Sequence, residues 1–212
     1  MKEARGICLP MTQKDARTLK VGDLVLISGN IVTGRDRIHN YLFNMRPTEK
    51  EVPFPLNGTI IYHCGPLMRK IHGGFECVAA GPTTSARLEI YEHRIIAEYG
   101  IRGVMGKGGM GAQTLSALQK EGSVYFHAVG GAAVYLAAKV KKVAGVWMLD
   151  EFGMTEAMWL LDVEDFPALV TMDAHGGDLH EAIDRKSFHE FRRLAGIGEY
   201  RNPPYPEKGV NP

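Results

Sequence analysis

The chain has few cysteines and almost no excess of charge. Its 212 residues include three cysteines, and 25 basic side chains stand against 24 acidic ones, a formal net charge of +1. A nearly neutral chain offers little attraction to nucleic-acid phosphates or to an anionic membrane surface. No apolar run reaches the roughly 18 residues that a membrane span needs, and the first ten residues lack the apolar stretch of a signal peptide. We therefore expect neither a nucleic-acid partner nor a membrane association.

The three cysteines are Cys8, Cys64 and Cys77, and none belongs to a Cys-x-x-Cys pair. Cys64 and Cys77 each adjoin an apolar run, which is typical of cysteines that pack as small hydrophobic residues in strands. We expect none of the three to bind a metal. Three unpaired cysteines without framework spacing indicate a reducing compartment, so a cytoplasmic location is predicted.

Apolar runs of strand length alternate with amphipathic stretches in the middle of the chain. This pattern predicts an α/β fold with a mixed sheet and flanking helices. We expect one domain over residues 1–200 and an extended proline-rich tail over 201–212. The predicted strands are Asp23–Ser28, Gly58–His63, Glu76–Ala80, Gly103–Met105, Ser123–His127, Gly145–Leu149, Ala157–Val163 and Ala168–Met172. The predicted helices are Arg35–Asn44, Ala86–Tyr99, Ala112–Lys120, Gly131–Lys139 and Leu179–Leu194.

The stretch Gly81–Arg87, with the sequence Gly-Pro-Thr-Thr-Ser-Ala-Arg, is the most informative local feature. Three hydroxyl residues follow a proline and precede an amphipathic run, an order that predicts a capped helix start with free N–H groups. Such an end attracts anions. Arg87 adds a planar guanidinium suited to gripping a carboxylate with two hydrogen bonds. The alternative is an ordinary helix start with a surface arginine.

Two other loops have the same character. Thr33 and Asp36 have the spacing of a capping box, which would place Arg35 in the first turn of a helix. Lys107 lies within a glycine-rich loop between a predicted strand and a predicted helix. Ligands of open α/β sheets gather where strands end and helices begin. Three cations at such junctions, Arg35, Arg87 and Lys107, predict a small substrate with two or more carboxylates.

The glycine loop also has a competing interpretation. Gly106-x-Gly108-x-x-Gly111 formally matches the dinucleotide-binding fingerprint. That fingerprint requires an acidic residue near the end of the next strand to hold the ribose, and the run Ser123–Ala128 provides none. No Lys-Ser or Lys-Thr pair closes a phosphate-binding loop either. A lysine presented among glycines, where a ligand can approach the backbone closely, fits the loop better.

Five short motifs follow one another in an order typical of one family. They are Gly34-Arg35-Asp36-x-x-His39, Gly65-Pro66, Gly81-Pro82-Thr83-Thr84-Ser85-x-Arg87, Gly106-Lys107-Gly108 and Val163-Glu164-Asp165-Phe166-Pro167-Ala168. From about Val21 to Leu179 the chain resembles the β subunit of class I iron–sulfur hydro-lyases, fumarate hydratase and L(+)-tartrate dehydratase. The same unit is the C-terminal domain of single-chain class I fumarases.

The resemblance implies a swivelling β/β/α-type domain and a role for each matching residue. Arg35, Arg87 and Lys107 correspond to ligands of the substrate carboxylates, and Thr83 to the proposed catalytic base. The family's [4Fe-4S] cluster is ligated by the partner α subunit. The resemblance thus implies an α-subunit partner, a small dicarboxylate substrate, and a homodimer or α2β2 assembly.

Three functions stay open at this stage. The motifs favour the β subunit of fumarate hydratase, which interconverts L-malate and fumarate, and L(+)-tartrate dehydratase is the first alternative. A non-catalytic, anion-binding α/β protein is the second. Among the histidines, His39 lies one helical turn from Arg35 and either shares the site or packs the helix. His63 is expected to be an isolated structural residue.

Overall fold

The computed structural model describes residues 3–48 and 50–196. The chain divides into two compact units, residues 1–178 and 179–212. The strands of the first unit are β1 (Arg5–Cys8), β2 (Leu24–Thr33), β3 (Ile60–Tyr62), β4 (Leu67–Ile71), β5 (Gly74–Ala79), β6 (Gly103–Gly106), β7 (Val124–His127), β8 (Val140–Trp147) and β9 (Met158–Met172). Its helices are α1 (Gln13–Arg17), α2 (Asp36–Met45), α3 (Glu89–Tyr99), α4 (Ala112–Glu121), α5 (Ala133–Ala137) and α6 (Leu149–Phe152).

Seven strands form one mixed sheet in the order β1-β2-β3-β6-β7-β9-β8, and β4 and β5 form a separate hairpin. The neighbours from β1 to β7 are parallel, whereas β9 runs antiparallel to β7 and β8. β9 also pairs with β2 in antiparallel register, which closes β2, β3, β6, β7 and β9 into a barrel-like ring. The predicted mixed sheet with flanking helices is confirmed.

β9 is one continuous strand where the sequence predicted two. The two predicted strands leave out the run from Glu164 to Pro167, in which Asp165 has a positive φ of 50°. The chain stays extended there because β2 pairs with β9 on both sides of this point, with a register shift between Ile27 and Gly29. Pairing with β2 therefore carries the strand through a local irregularity. The short strands β1 and β4 were also not predicted.

Two hydrophobic clusters lie on the two faces of the sheet, as the alternation of side chains along β9 shows. Trp159, Leu161 and Val163 belong to one cluster, together with residues of α5 and β4. Met158 and the half-buried Leu160 pack with the other cluster, which contains the buried faces of α2, α3 and α4. The period of two along the strand is what places its neighbours in different clusters.

Helix α3 shows the predicted amphipathic pattern, preceded by a 3₁₀ turn over Ser85–Leu88. Leu88 and Ile95 are buried, and Tyr91 and Tyr99 pack half-buried against the same cluster. The helix ends at Gly100, whose φ of 63° lies in the left-handed region that glycine tolerates best. This prediction of a core-facing stripe is confirmed.

The second unit contributes helix α7 (Leu179–Ala195) to the described residues, close to the predicted helix. The predicted tail over residues 201–212 lies outside the described residues, and the single domain over residues 1–200 stays a prediction. None of the helices described is long and apolar enough to cross a membrane.

Candidate active site

Three neighbouring parallel strands place the predicted site residues at one edge of the sheet. β2, β3 and β6 lie side by side, and their carboxyl ends lead to Arg35, to residues 63–65 and to Lys107 respectively. Carboxyl ends of adjacent parallel strands meet at the same edge. The topology therefore gathers these loops, although they are far apart in sequence.

Backbone hydrogen bonds join the Thr83 loop to the Lys107 loop. The Lys107 N–H donates to the Thr83 carbonyl oxygen at 3.2 Å, and the Ser85 N–H donates to the Lys107 carbonyl oxygen at 3.0 Å. The Thr83 N–H and hydroxyl both donate to the carbonyl oxygen of His63, at 2.7 and 3.1 Å. Thr83 is thus held between the ends of β3 and β6.

Arg35 and Arg87 converge on one carboxylate. Asp36 Oδ2 lies 3.4 Å from Arg87 Nη2 and 4.0 Å from Arg35 Nη2. Arg35 Nε also lies 3.4 Å from Glu156 Oε1. Gly65 packs against the Arg35 side chain so closely that a Cβ atom there would come within 2.7 Å of Arg35 Cδ. Residues 63–65 therefore contact Thr83 at one end and Arg35 at the other.

The predicted capping box at Thr33 is wrong. β2 extends through Thr33, whose buried hydroxyl accepts from the Trp159 N–H at 3.0 Å and faces the Ala157 carbonyl. Arg35 is itself the N-cap of α2, and its side chain makes no capping bond. Glu156 Oε2 accepts from the Arg37 N–H at 3.0 Å instead, so a carboxylate from elsewhere in the chain serves this helix end.

Two of the expected backbone donors are not free, because Thr83 and Ser85 use their N–H groups internally. The start of α4, after the glycine loop, is occupied as well. Glu89 accepts from the N–H groups of Gly111, Gln113 and Thr114 and from the Thr114 hydroxyl, at 2.6–3.1 Å. The start of α4 therefore already holds a carboxylate, and Arg35, Arg87 and Lys107 bring side-chain cations to this edge of the sheet.

A fully buried polar network lies behind these loops. Glu92 Oε2 lies 2.9 Å from His39 Nε2 and 3.0 Å from His63 Nε2. His39 Nδ1 faces the Arg35 carbonyl oxygen at 2.8 Å, and His63 Nδ1 faces Ser85 Oγ at 2.8 Å. Ser85 Oγ is in turn 2.8 Å from the Tyr125 hydroxyl. We call His39, His63, Ser85, Glu92 and Tyr125 the buried network.

The charges within the buried network follow from burial and from each other. Burial raises the pKa of Glu92, but His39 and His63 outweigh burial and lower that pKa to about 2. Burial lowers the pKa of His63 despite the opposing effect of Glu92. Burial raises the pKa of Tyr125 well above its ordinary value. Glu92 is therefore a carboxylate, and Tyr125 a neutral hydroxyl, at neutral pH.

Sequence reasoning missed Glu92 and misjudged His63, which is not isolated. The signal for Glu92 was present, because it lies four residues after Leu88 and three before Ile95 on the apolar stripe of α3. An acidic residue on a buried stripe needs a buried partner. The partners that the structure supplies are His39, in the first turn of α2, and His63, directly after β3.

The three cysteines do not come together as a set of metal ligands in the described part of the chain. Cys8 is exposed, Cys64 is buried, and Cys77 is half-buried. Burial raises the pKa of the Cys64 thiol strongly and that of Cys77 to about 11, so both are neutral thiols at neutral pH. Among the described residues, the one set of three side chains close enough to enclose a metal is His39, His63 and Glu92.

The model of the fumarase C-terminus family matches residues 2–183. The chain belongs to this fumarase C-terminal family. It is 54% identical over 195 residues to a Geobacillus stearothermophilus protein named as a class I fumarate hydratase. It is 43% identical over 188 residues to a Methanocaldococcus jannaschii protein named as an L(+)-tartrate dehydratase β subunit, and 37% identical over 185 residues to the Escherichia coli K12 protein of that name. The resemblance seen in the motifs is confirmed.

Coverage differs among these relatives of the fumarase C-terminal family. The match includes 91% of this chain for the Geobacillus protein, 88% for the Methanocaldococcus protein and 86% for the Escherichia coli protein. They span only 37% of the Geobacillus protein, but 96% and 89% of the two β subunits. The chain thus corresponds to a part of the first relative and to nearly all of the other two.

Proposed function

We propose that this chain is the β subunit of a class I [4Fe-4S] fumarate hydratase, which interconverts L-malate and fumarate by reversible dehydration. The observation that carries the proposal is the arrangement of Arg35, Thr83, Arg87 and Lys107. They lie on loops at one sheet edge, connected through backbone bonds to His63 and through the carboxylate of Asp36. These are the residue types that a hydroxy-diacid and its dehydration require.

The two arginines are proposed to bind a substrate carboxylate. In this structure they share Asp36 through long contacts of 3.4 and 4.0 Å, with side chains that are 51% exposed for Arg87 and 24% for Arg35. A carboxylate with better geometry can replace such contacts, since charge-assisted hydrogen bonds are worth about 1.5–3 kcal/mol each. Lys107, bonded through its backbone to Thr83, is proposed to bind the other end of the diacid.

Thr83 is proposed to remove the proton from the carbon beside a carboxylate. Negative charge then spreads into that carboxylate, where the fixed cations of Arg35, Arg87 and Lys107 stabilise it. In this step the Thr83 oxygen would act as an alkoxide, which takes the C–H proton of the substrate and becomes the hydroxyl that donates to the His63 carbonyl in this structure. A threonine hydroxyl acts as a base only when its pKa is strongly lowered, and nearby cations favour that change.

The iron–sulfur cluster is proposed to be ligated by a partner α subunit. The poor fit of Cys8, Cys64 and Cys77 to such a cluster supports this, as do the β-subunit relatives of nearly equal length. The proposed assembly is a homodimer of this chain or an α2β2 complex, in the cytoplasm. The cluster's chemistry would belong to that subunit, and this chain would bind, orient and deprotonate the substrate.

The β subunit of L(+)-tartrate dehydratase is the second candidate. Its specific support is length, because the match spans 96% and 89% of the two proteins that carry this name. The higher identity of 54% to the protein named as a fumarate hydratase supports the first candidate. The two substrates differ by one hydroxyl group, and both are hydroxy-diacids that the same cations suit.

An anaerobic assay tests the proposal. This chain would be measured alone and with its cognate α subunit after iron–sulfur reconstitution, with L-malate and L(+)-tartrate offered in parallel. We expect turnover only in the pair and a preference for L-malate. A preference for tartrate would support the second candidate. Inactivity towards both, with an intact cluster, would contradict both and leave the anion-binding alternative.

A further inference from the structure

Glu92 connects the two loops that carry the proposed chemistry, although it is wholly buried. Through His39 Nε2 it reaches the Arg35 carbonyl, and through His63 Nε2 it reaches the residue whose carbonyl binds Thr83. Both paths use one carboxylate oxygen, at distances of 2.9 and 3.0 Å. A shift of that oxygen would move both loops.

The protons of the buried network follow from counting donors and acceptors. The Arg35 carbonyl can only accept, and so can Glu92 when it is a carboxylate; both ring nitrogens of His39 then carry a proton. His63 needs a proton only at Nε2, because its Nδ1 can accept from the Ser85 hydroxyl. Ser85 can then accept from Tyr125. The arrangement therefore holds one imidazolium, one carboxylate and one neutral imidazole.

A metal ion fits this geometry less well. Both Nε2 atoms point at the same carboxylate oxygen at ordinary hydrogen-bond distances, whereas metal ligands would surround a common centre. All three side chains have no exposed surface, so no entry path is open to an ion. Each ring nitrogen of His39 and of His63 already has a hydrogen-bond partner.

We propose that Glu92 is a positioning residue, which sets the spacing between the Arg35 loop and the Thr83 loop through a His39 imidazolium and a neutral His63. The catalytic consequence rests on the proposed function, since Arg35 and Thr83 act on the substrate there. A displacement of either loop by even one ångström can slow an enzyme about a hundredfold. Glu92 itself touches no substrate.

The test compares Glu92→Gln with Glu98→Gln, the same change on the exposed side of the same helix. Glu98 makes only ion pairs of 3.7 and 3.9 Å at the surface. The first readout is the ¹⁵N spectrum of the histidine side chains in this chain. We expect one buried histidine with both nitrogens protonated in the wild type and in Glu98→Gln, and its loss in Glu92→Gln. Two neutral buried histidines in the wild type, or a tightly bound metal, would overturn the proposal.

The second readout is kinetics in the assembled enzyme, with circular dichroism confirming that each variant is folded. We expect kcat/KM to fall about 10- to 100-fold in Glu92→Gln and to stay unchanged in Glu98→Gln. If Glu92→Gln does not fold, Ser85→Ala replaces it, because it removes only the hydroxyl between His63 and Tyr125; a several-fold loss is then expected. A folded variant with wild-type kinetics would overturn the proposal.

The two proposals fail in different ways. An inactive wild-type assembly would contradict the proposed function, while the histidine spectra would still decide whether Glu92 holds both loops. An active wild-type assembly with unaffected Glu92→Gln kinetics would contradict only the positioning role.

Discussion

The cation face consists of Arg35, Arg87 and Lys107, and the buried network lies behind it. The two regions are connected through the backbone, but their charged groups differ in contact distance and in exposure. Contacts to Asp36 on the cation face are 3.4–4.0 Å long and at least partly exposed. Those of Glu92 in the buried network are 2.9–3.0 Å long and have no exposed surface. Exposed ion pairs contribute about 0–1 kcal/mol to stability, whereas breaking a buried pair costs about 3–5 kcal/mol.

The comparison points to a division of tasks. In the proposed function, the cations exchange an internal carboxylate for a substrate, and the network behind them fixes the backbone from which they project. Substitutions on the cation face should therefore change catalysis and leave stability nearly constant. Substitutions in the buried network should change both.

The largest expected effect concerns Thr83, which borders both regions. Thr83→Ala in the assembled enzyme should lower kcat about 10²- to 10⁴-fold, the usual contribution of a positioned base. Its backbone N–H still bonds to His63, so folding should be unaffected. Thr84→Ala is the matched control, since Thr84 is the exposed neighbour and makes no side-chain capping bond. Near-normal kcat in Thr83→Ala would remove Thr83 from the base role.

Acid should destabilise the protein through the buried network. The pKa values of His63 and Glu92 are both lower in the folded state than their ordinary values of 6.5 and 4.5. The unfolded chain then binds more protons, so stability is present above those ordinary values and is lost as pH falls. Loss should begin below about pH 6.5 with His63 and continue from 4.5 to about 2 with Glu92.

The measurement is urea unfolding as a function of pH. The contribution of Glu92 to the free energy of unfolding should be on the order of 3 kcal/mol. In Glu92→Gln, the free energy of unfolding should therefore fall less steeply below pH 4.5 than in the wild type. Identical pH slopes in the wild type and Glu92→Gln would show that Glu92 does not contribute in this way.

A smaller stability effect is expected at Glu89, whose carboxylate caps α4 with four hydrogen bonds. Glu89→Ala leaves N–H groups of the first turn of α4 without an acceptor, so the free energy of unfolding should fall by about 2 kcal/mol. Glu98→Ala on the same helix should cost less than about 1 kcal/mol. An equal loss of unfolding free energy in Glu89→Ala and Glu98→Ala, measured by urea titration, would mean that the Glu89 cap stabilises the protein no more than a surface ion pair does.

Sequence patterns were sufficient for much of the fold, and they selected residues that the structure brings to one edge of the sheet. Apolar periodicity found α2, α3, α4 and α7 within a few residues. The first three bury a stripe of side chains, whereas none of the described side chains of α7 is buried. The three cations were selected because each lies at a predicted strand–helix junction, and Thr83 was selected because the order of the motifs matches a family. The roles assigned to them stay predictions.

Long-range partners were beyond the reach of local patterns. The Thr33–Asp36 spacing predicted a capping box. In the structure, the Thr33 hydroxyl accepts a hydrogen bond from Trp159 of β9 instead, and Glu156, distant in sequence, accepts from the first turn of α2. Glu89 filled the α4 start in the same manner. Such bonds depend on which elements the fold brings together, so no spacing within one segment could reveal them.

The smallest effect is expected on the cation face, at Arg87. Arg87→Lys keeps the charge but loses the planar fork, so KM for the diacid should rise about tenfold, equivalent to about 1.4 kcal/mol. Stability should hardly change, because the Arg87–Asp36 contact is exposed. Arg94→Lys is the control, a similarly exposed arginine whose ion pair with Glu98 spans 3.9 Å. Wild-type kinetics in Arg87→Lys would make Arg87 a surface residue of the helix start, and the exposed half of the comparison would then rest on Arg35 and Lys107.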